Sequence, residues 1–345
     1  MKTKLGNQAL INVALLNRKK NKYSYSLERF SDDIKISINN NTDDILVKIH
    51  KNKFHSKGII KRLFDSILAT KINSDVIHIS GDVHYLAYFL PSNSTILTIH
   101  DCNLLERHKG LKFIFYWIFW FWIPINRVSR ITVISSFSKD SILKYVNCNP
   151  EKISVIHNMI SPEFSFARYK FNNNEPNILH IGINKNKNLH AHIKAIKNIN
   201  CKLTIIGRLH KDDLDLLIKH KIKYINLMNL SRKDLYFQYV KADLVLFCSK
   251  YEGFGFPIIE AQAVGRPVVT SNIRVLREVS GGAAAFADPY NISSITNAIK
   301  MVIENDNFRN NLIKKGRINV SRFNPRTIAS QYENLYREVY YSSIR

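Results

Sequence analysis

The sequence predicts an α/β protein of two domains built on parallel sheets, and three observations carry that expectation. Continuous apolar runs, such as residues 95–99 and 242–248, have the length and content of strands covered on both faces. Between such runs lie helical segments with proline near their start and glycine at their end. At 345 residues the chain is long enough for two α/β domains of ordinary size, and residues 164–176, rich in Asn and Lys, mark a linker between them.

Taken in order, residues 11–16 read as a first strand. The chain start is basic, but its apolar run is short and no cleavage-site pattern follows, which argues against a secretory leader. Residues 17–29 make a turn without glycine. Residues 42–49 suggest a second strand, and 59–71 a helix with apolar residues at helical spacing. A strand at 76–80 leads into a Gly81-Asp82 turn, and a buried strand at 95–99 ends in His100-Asp101.

Next comes the apolar and aromatic run 113–123, closed by Pro124, which holds all three tryptophans, Trp117, Trp120 and Trp122. As a helix it covers roughly 16 Å, against a hydrocarbon core of about 30 Å, so it is too short to span a membrane. Arg107, Lys109, Lys112, Arg127 and Arg130 flank it. Tryptophan and tyrosine beside positive charge suit a membrane–water interface. A helix buried in the domain, or packed on a partner chain, fits the same pattern. Residues 130–134 are a strand, with Ser138 as N-cap of the helix that follows.

The second domain opens with a strand at 177–181. Gly182, a loop carrying Lys185 and Lys187, and a helix from Leu189 make a natural diphosphate cradle. A strand at 201–206 ends in Gly207-Arg208, and 223–230 includes Met228. The stretch 249–272, SKYEGFGFPIIEAQAVGRPVVTSN, organises the chain. Its glycine loop, Pro257 and the stop at Gly265 frame a short helix whose N-terminus accepts phosphate. Glu252 on the loop and Glu260 in the first turn are placed to face a ligand there. A carboxylate can hold sugar hydroxyls through charge-assisted bonds of roughly 1.5–3 kcal/mol each. A surface acid and a dipole-complementing glutamate fit the spacing equally. The tail, 326–340, repeats apolar positions at Ile328, Tyr332, Leu335, Tyr336 and Val339.

This stretch resembles the donor-binding signature of retaining nucleotide-sugar glycosyltransferases of the GT-B fold, family 4, or glycosyl transferases group 1. The pattern E-G-F-G-(L/F)-P-x-x-E-A-x-x-x-G-x-P-V-V is filled at every position. The resemblance runs from about Thr95 onward. It implies two Rossmann-like domains whose parallel sheets face a central cleft. Residues 1–165 would bind acceptor and 171–325 the nucleotide sugar, with 326–345 crossing back to the first domain. It also implies that Glu252 contacts the transferred sugar and Glu260 the ribose. The backbone of Gly253, Phe254, Gly255, Phe256 and Ile258, with Gly182, would hold the diphosphate. Lys187 and Asn188 match the family's K-N pair, and Lys187 would neutralise charge on the leaving phosphate. The family's arginine is not matched, Lys185 standing there instead. His100, in a T-x-H-D segment, would face the donor sugar, and Asp101 would orient it or bind acceptor. Ser138, in an S-x-F-S step, and Arg208 would meet the donor. Residues 223–230 correspond to the family segment whose backbone reads the nucleobase, and Met228 stands there where glycine is common, so base identity is not legible. Met159 replaces the usual glycine of the segment closing the first domain.

The implied chemistry is retaining transfer of a hexose from a nucleoside diphosphate sugar to a hydroxyl. No D-x-D motif occurs at a strand end, and the Asp pairs 32/33, 43/44 and 212/213 read as surface turns. A metal-independent enzyme without cofactor follows, its donor being GDP-mannose or, alternatively, a UDP-sugar. The E-G-F-G-F-P variant and K-N loop look most like mannosyltransferases. With 51 basic against 27 acidic residues, a formal +24, a polyanionic partner is favoured. No RRM, KH, helix-turn-helix or zinc-finger pattern accompanies the charge, so an anionic membrane surface is preferred and nucleic acid is not expected. Four widely spaced cysteines suit a reducing cytosol. The expectation is a bacterial cytoplasmic protein, peripheral on the inner face of the plasma membrane. It would act on a glycan or lipid-linked acceptor, as in O-antigen or capsule assembly. The rival readings are a nucleotide-sugar epimerase of the same fold and a basic membrane- or nucleic-acid-binding protein with a vestigial nucleotide site.

Overall fold

The computed structural model describes residues 9–19, 26–56 and 58–345, residues 26–28 by their backbone. The reading of the first eight residues, and most of the glycine-free turn expected at 17–29, lie outside these. The chain divides into two units, one of residues up to Met159 together with Pro325–Arg345, the other Ile160–Asn324.

The first unit holds six strands, β1 (Ile11–Asn17), β2 (Ile45–Lys51), β3 (Val76–Ile79), β4 (Thr95–Ile99), β5 (Arg130–Val133) and β6 (Ile153–Val155). They pair in the order β2-β1-β3-β4-β5-β6, every pair parallel. Side chains alternate across a strand, and β1 shows it. Ile11, Val13 and Leu15 join one core, while Ala14 and Leu16 join another. The first core is closed by the tail helix Pro325–Ser343, which contributes Ile328, Tyr332, Leu335, Tyr336 and Val339. At about 1.5–3 kcal/mol for each fully buried large side chain, this face makes the tail part of the unit. Two polar ties fix its register. The buried ring of His78 hydrogen-bonds the Tyr336 hydroxyl at 2.8 Å and Thr98 Oγ1 at 2.6 Å. Arg337 donates Nε and Nη2 to Asp44, each at 2.8 Å, which holds that carboxyl down at about 2.

Three local expectations need correction. The second strand begins at Ile45, not residue 42, because Thr42 N still donates to Ile38 O and closes the preceding helix Ser26–Asn41. Pro124 does not end the aromatic helix. Residues Trp117–Trp122 wind into a π-helical turn, and the chain continues as Ile123–Arg127. A π turn shifts the acceptor ladder, so the proline's missing N–H falls where the ladder is already interrupted. Nor are all the Asp pairs surface turns. Asp33 is buried with Arg29 at 3.7 Å, and Asp213 is buried, accepting from His210 N at 2.8 Å.

The second unit holds β7 (Asn177–Ile181), β8 (Lys202–Ile206), β9 (Lys223–Leu227), β10 (Leu244–Phe247), β11 (Val268–Ser271) and β12 (Ala285–Ala287). Their order is β12-β11-β10-β7-β8-β9, again all parallel. Residues 164–176, expected as a linker, lie within this unit and pack on it. Phe166, Tyr169 and Phe171 lie under the guanidinium groups of Arg317, Arg266 and Arg309 at 4.2, 3.8 and 3.8 Å. All four cysteines are free.

Candidate functional site

In the second unit the strand order reverses between β7 and β10, and the loops leaving their carboxyl ends diverge there. Open α/β sheets bind ligands in the crevice at such a point. The loop after β7 is 182–188, and the loop after β10 is 248–255. Two asparagines and a backbone bond tie them together. Lys250 N donates to Asn186 O at 2.8 Å, and Asn186 Nδ2 to Tyr251 O at 3.1 Å. Asn188, held in the left-handed region at φ 64°, donates to Cys248 O at 3.1 Å and Pro289 O at 2.7 Å.

Across this junction Lys187 Nζ meets Glu252 Oε1 at 2.6 Å, with both side chains mostly shielded. The ammonium also sits 4.7 Å from the centre of the Phe247 ring, and its stem crosses Gly182. A Cβ on Gly182, whose φ is +87°, would come 3.1 Å from Lys187 Cγ. Glycine there lets the lysine lie flat on the turn. The resemblance named Lys187, Glu252 and Gly182 separately, and the fold brings all three together.

The helix Phe256–Val264 starts beside them. Gly255 at φ 114° breaks the chain into it, and a Cβ there would meet Leu276 Cδ2 at 2.8 Å. The first N–H groups of a helix point out of its end without intrahelical partners. Gly255 caps this helix and Phe256 opens it, with Gly253 and Phe254 on the loop before them. Ile258 is different: its N–H donates to Gly255 O at 3.0 Å and its side chain is buried. Its expected diphosphate contact through the backbone is therefore already spent on the turn. Glu260 sits one turn further in than expected, buried, with Oε2 accepting from the Tyr239 hydroxyl at 2.6 Å. Arg208 and Met228 follow the carboxyl ends of β8 and β9, and both are exposed.

In the first unit His100 leaves the carboxyl end of β4. Its Nε2–H donates to Ser80 O at 2.8 Å, which leaves Nδ1 as the acceptor nitrogen. The ring packs edge-on to Phe30 at 5.1 Å. Asp101 accepts from Asn103 N at 2.9 Å, and burial raises its carboxyl above the usual range. Ser138 is not the N-cap. That role belongs to Ser135, whose hydroxyl accepts from Ser138 N at 3.1 Å. Ser138 is buried and donates to His100 O at 3.3 Å, so it positions the histidine loop. The tryptophans separate. Trp120 is buried, Trp117 donates Nε1 to Tyr145 O at 2.7 Å, and Trp122 is exposed. Among the described residues no group of three His, Cys, Asp or Glu is placed to hold a metal, and no helix is long and apolar enough to cross a membrane.

Two family profiles match in tandem: Glycosyltransferase Family 4 over residues 40–164, and Glycosyl transferases group 1 over residues 162–319. The chain belongs to the glycosyl transferases of group 1. It is similar to the O-antigen chain mannosyltransferase RfbU of Salmonella typhimurium, 32% identical over 61% of each chain. It also resembles O-antigen chain mannosyltransferase B of Escherichia coli, 35% identical over 30% of this chain and 28% of that one. The matched regions thus span less than two thirds of these relatives. Among solved structures, HepE of Anabaena, in complex with UDP and glucose, superposes with a TM-score of 0.76 at 16% identity, covering 95% of this chain and all of that one. WaaG, a glycosyltransferase involved in lipopolysaccharide biosynthesis, gives 0.70 at 13%, covering 94% and 99%. The fold is GT-B.

This group 1 family member has a support under its lysine loop that sequence reading missed. His180 Nε2–H donates to Gly182 O at 2.6 Å, and His192 Nδ1–H donates to His180 Nδ1 at 2.9 Å. Burial drives both rings neutral, His180 to about 4 and His192 well below its ordinary value. Only a neutral His180 can donate at one nitrogen and accept at the other, so the pair props the Gly182 turn in one tautomer. In sequence, His180 is one polar residue in an apolar strand, with nothing to mark it.

The sign of the pH dependence follows. A histidine whose folded pKa is depressed favours the neutral fold fully above its unfolded value near 6.5, and that contribution is lost as pH falls toward the folded value. His78, lowered to about 3, and His84 act in the same direction. Melting temperature is therefore expected to decline steadily from about pH 6.5 to 4, before carboxylates such as Asp44 titrate. Scanning calorimetry across that range checks it, and a flat profile between pH 6.5 and 4.5 would contradict the neutral pair.

Proposed function

We propose that the protein transfers a hexose, mannose from GDP-mannose in first place, to a hydroxyl of a lipid-linked or polysaccharide acceptor. The bond from the anomeric carbon to the diphosphate oxygen breaks, and a bond to the acceptor oxygen forms on the same face. The acceptor's proton leaves with the nucleoside diphosphate. The observation that carries this reading is the Lys187–Glu252 pair at the β7/β10 switch point, beside the helix Phe256–Val264. Lys187 and the helix N-terminus stabilise the departing diphosphate without a metal, Glu252 positions the sugar, and Glu260 takes the ribose. His100 is assigned to the reacting face of the sugar and Asp101 to the acceptor. The choice of mannose rests on the two O-antigen mannosyltransferases that the chain resembles. A relative named for capsular polysaccharide biosynthesis, CapM of Staphylococcus aureus, supports the acceptor class. The protein works at the inner face of a membrane.

Titration calorimetry with GDP-mannose, UDP-glucose and UDP-N-acetylglucosamine tests the donor. One of them, GDP-mannose, is expected to bind at micromolar concentration, and Glu260→Gln to weaken it about tenfold, since a charge-assisted bond becomes a neutral one. Glutamine keeps an acceptor for the Tyr239 hydroxyl, so the variant should fold. No binding of any donor to folded protein would overturn the assignment.

A further inference from the structure

The helix Ile59–Ala69 is inside out. Its inward face carries the buried Asp65, Ser66 and Ala69, and Arg62 beside them, while Ile59, Ile60, Leu63, Phe64, Ile67 and Leu68 are exposed, Ile59 and Ile60 by 77% and 71%. The polar inward face is bonded in part, Asp65 Oδ2 being buried without a hydrogen-bond partner. Asp65 Oδ1 accepts from Lys53 N and Phe54 N at 3.1 and 3.2 Å, and the Ser66 hydroxyl donates to Arg62 O at 2.9 Å. Helical packing inside a soluble domain puts apolar residues inward. Here the apolar stripe runs along the outer side for the whole helix.

The helix packs on the short segment His84–Tyr88, which in turn packs on the aromatic run. The Arg62 guanidinium stacks over Trp120 at 4.9 Å and Tyr85 at 5.7 Å, so one cation joins the two segments. On its outer side the aromatic helix exposes Leu111, Ile114, Phe115, Phe119 and Trp122. Scattered exposed apolar side chains are ordinary, but two stripes of this size in one unit, bridged by Arg62, mark an interaction surface.

Charge selects the occupant. Lys51, Lys53, Lys61, Lys71, Arg107, Lys109, Lys112 and Arg127 are all exposed on these two segments. The one acid within residues 51–71 and 107–127 is Asp65, which faces inward. An apolar stripe in a predominantly cationic rim, with Glu106 the exposed acid beside Arg107, matches the boundary between acyl chains and anionic headgroups.

We propose that the Ile59–Ala69 and aromatic helices together form a docking face for an anionic lipid bilayer, with the inside-out helix as its main anchor. This deepens the membrane placement in the reading above, and it stands apart from the sugar chemistry. The patch lies in the first unit and is tested without donor or acceptor.

The test is vesicle flotation of the full chain with phosphatidylcholine alone and with phosphatidylcholine mixed with phosphatidylglycerol. Wild type is expected to float with the mixed vesicles, less with the neutral ones, and to be released in part by salt. The double variant Ile60→Ser/Phe64→Ser is expected to bind at least about tenfold more weakly. Both side chains are exposed, so its melting temperature should match the parent, and donor titration on the same protein should be unchanged. Unchanged flotation of the double variant would overturn the proposal, as would wild type that binds neither vesicle. A wild-type dimer that the same substitutions dissociate would overturn it too, assigning the face to a second copy of the chain. Loss of donor binding in both proteins would instead count against the transferase reading alone.

Discussion

Replacing Lys187 with methionine is expected to lower kcat by about 10²–10³-fold, the usual cost of removing one preorganised group that meets developing charge. Methionine keeps a flexible stem over Gly182 and the Phe247 ring, so the loop should hold its shape and only the ammonium is lost. Two things place that ammonium. Glu252 fixes it at 2.6 Å, and Phe247 offers a ring face at 4.7 Å. Both are available without substrate, so little reorganisation remains when the diphosphate departs. In the proposed reading the helix N-terminus also holds the donor in the ground state, so KM for the donor should change much less than kcat. Glu252 loses its partner in this variant, and because the pair is mostly shielded this costs more than the roughly 1 kcal/mol of an exposed pair, so kinetics are read well below the melting point. Steady-state kinetics with a saturating acceptor, alongside a melting curve, separates the outcomes. If kcat is unchanged, Lys187 is only the counter-ion of Glu252, and the leaving-group role belongs elsewhere.

The parts of this site that were legible in sequence are those where a residue type is forced. Gly255 at φ 114° and Gly182 at φ 87° require glycine, and a proline opens the helix after the loop. Apolar strands buried on both faces wrote β4 to the residue and β10 to within two residues, the run 242–248 reaching past Leu244–Phe247 at both ends. What was not legible came from contacts between distant segments. Helical spacing alone puts Glu260 near the loop, yet its burial under Tyr239 depends on a helix twenty residues earlier in the chain. Ser135 and Ser138 are equally good caps by type, and only the strand's end decides between them. The tryptophans were grouped by composition, but a π-helical turn rotates them to different surroundings. The apolar spacing of 59–71 correctly marked a helix, while giving no sign that the apolar side faces outward. Periodicity reports that a stripe exists and is silent about what covers it.

The variable position in G-x-P-V-V is occupied by Arg266, and it is expected to matter more for stability than any residue the pattern specifies. Arg266 is the largest fully buried side chain, 1% exposed. Its guanidinium donates to four backbone carbonyls: Nε to Ala242 at 2.9 Å, Nη1 to Ala167 and Val264 at 2.9 Å each, and Nη2 to Val240 at 2.7 Å. Tyr169 lies 3.8 Å below its plane. These carbonyls belong to the end of the helix Phe256–Val264, the approach to β10 and the segment 164–176, three pieces that no shared strand or helix joins. The chain reaches this point through Gly265 at φ 81°, where a Cβ would strike Phe166 at 2.6 Å. Replacing Arg266 with leucine fills much of the volume but removes the guanidinium donor from four carbonyls, each loss costing up to about 1–3 kcal/mol in isolation. Val264 O keeps Ala167 N at 3.3 Å, however, and the bonds to Ala167 and Val240 are only partly buried. Relaxation and water entry reduce the sum, so a net loss of about 3–5 kcal/mol is expected. That corresponds to a fall in melting temperature of roughly 10 °C or more for a unit of this size. Arg266→Lys should recover little of it, because an ammonium on a flexible stem cannot serve a planar set of four acceptors or stack on Tyr169. The consequence reaches the site, since Val264 closes the helix whose other end is the proposed diphosphate site. Donor binding in the leucine variant should therefore weaken as the melting point is approached, while remaining near wild type well below it. Melting curves of the two variants decide the matter. If both melt with the parent, the four carbonyls find other donors, and the guanidinium is not what holds these three segments together.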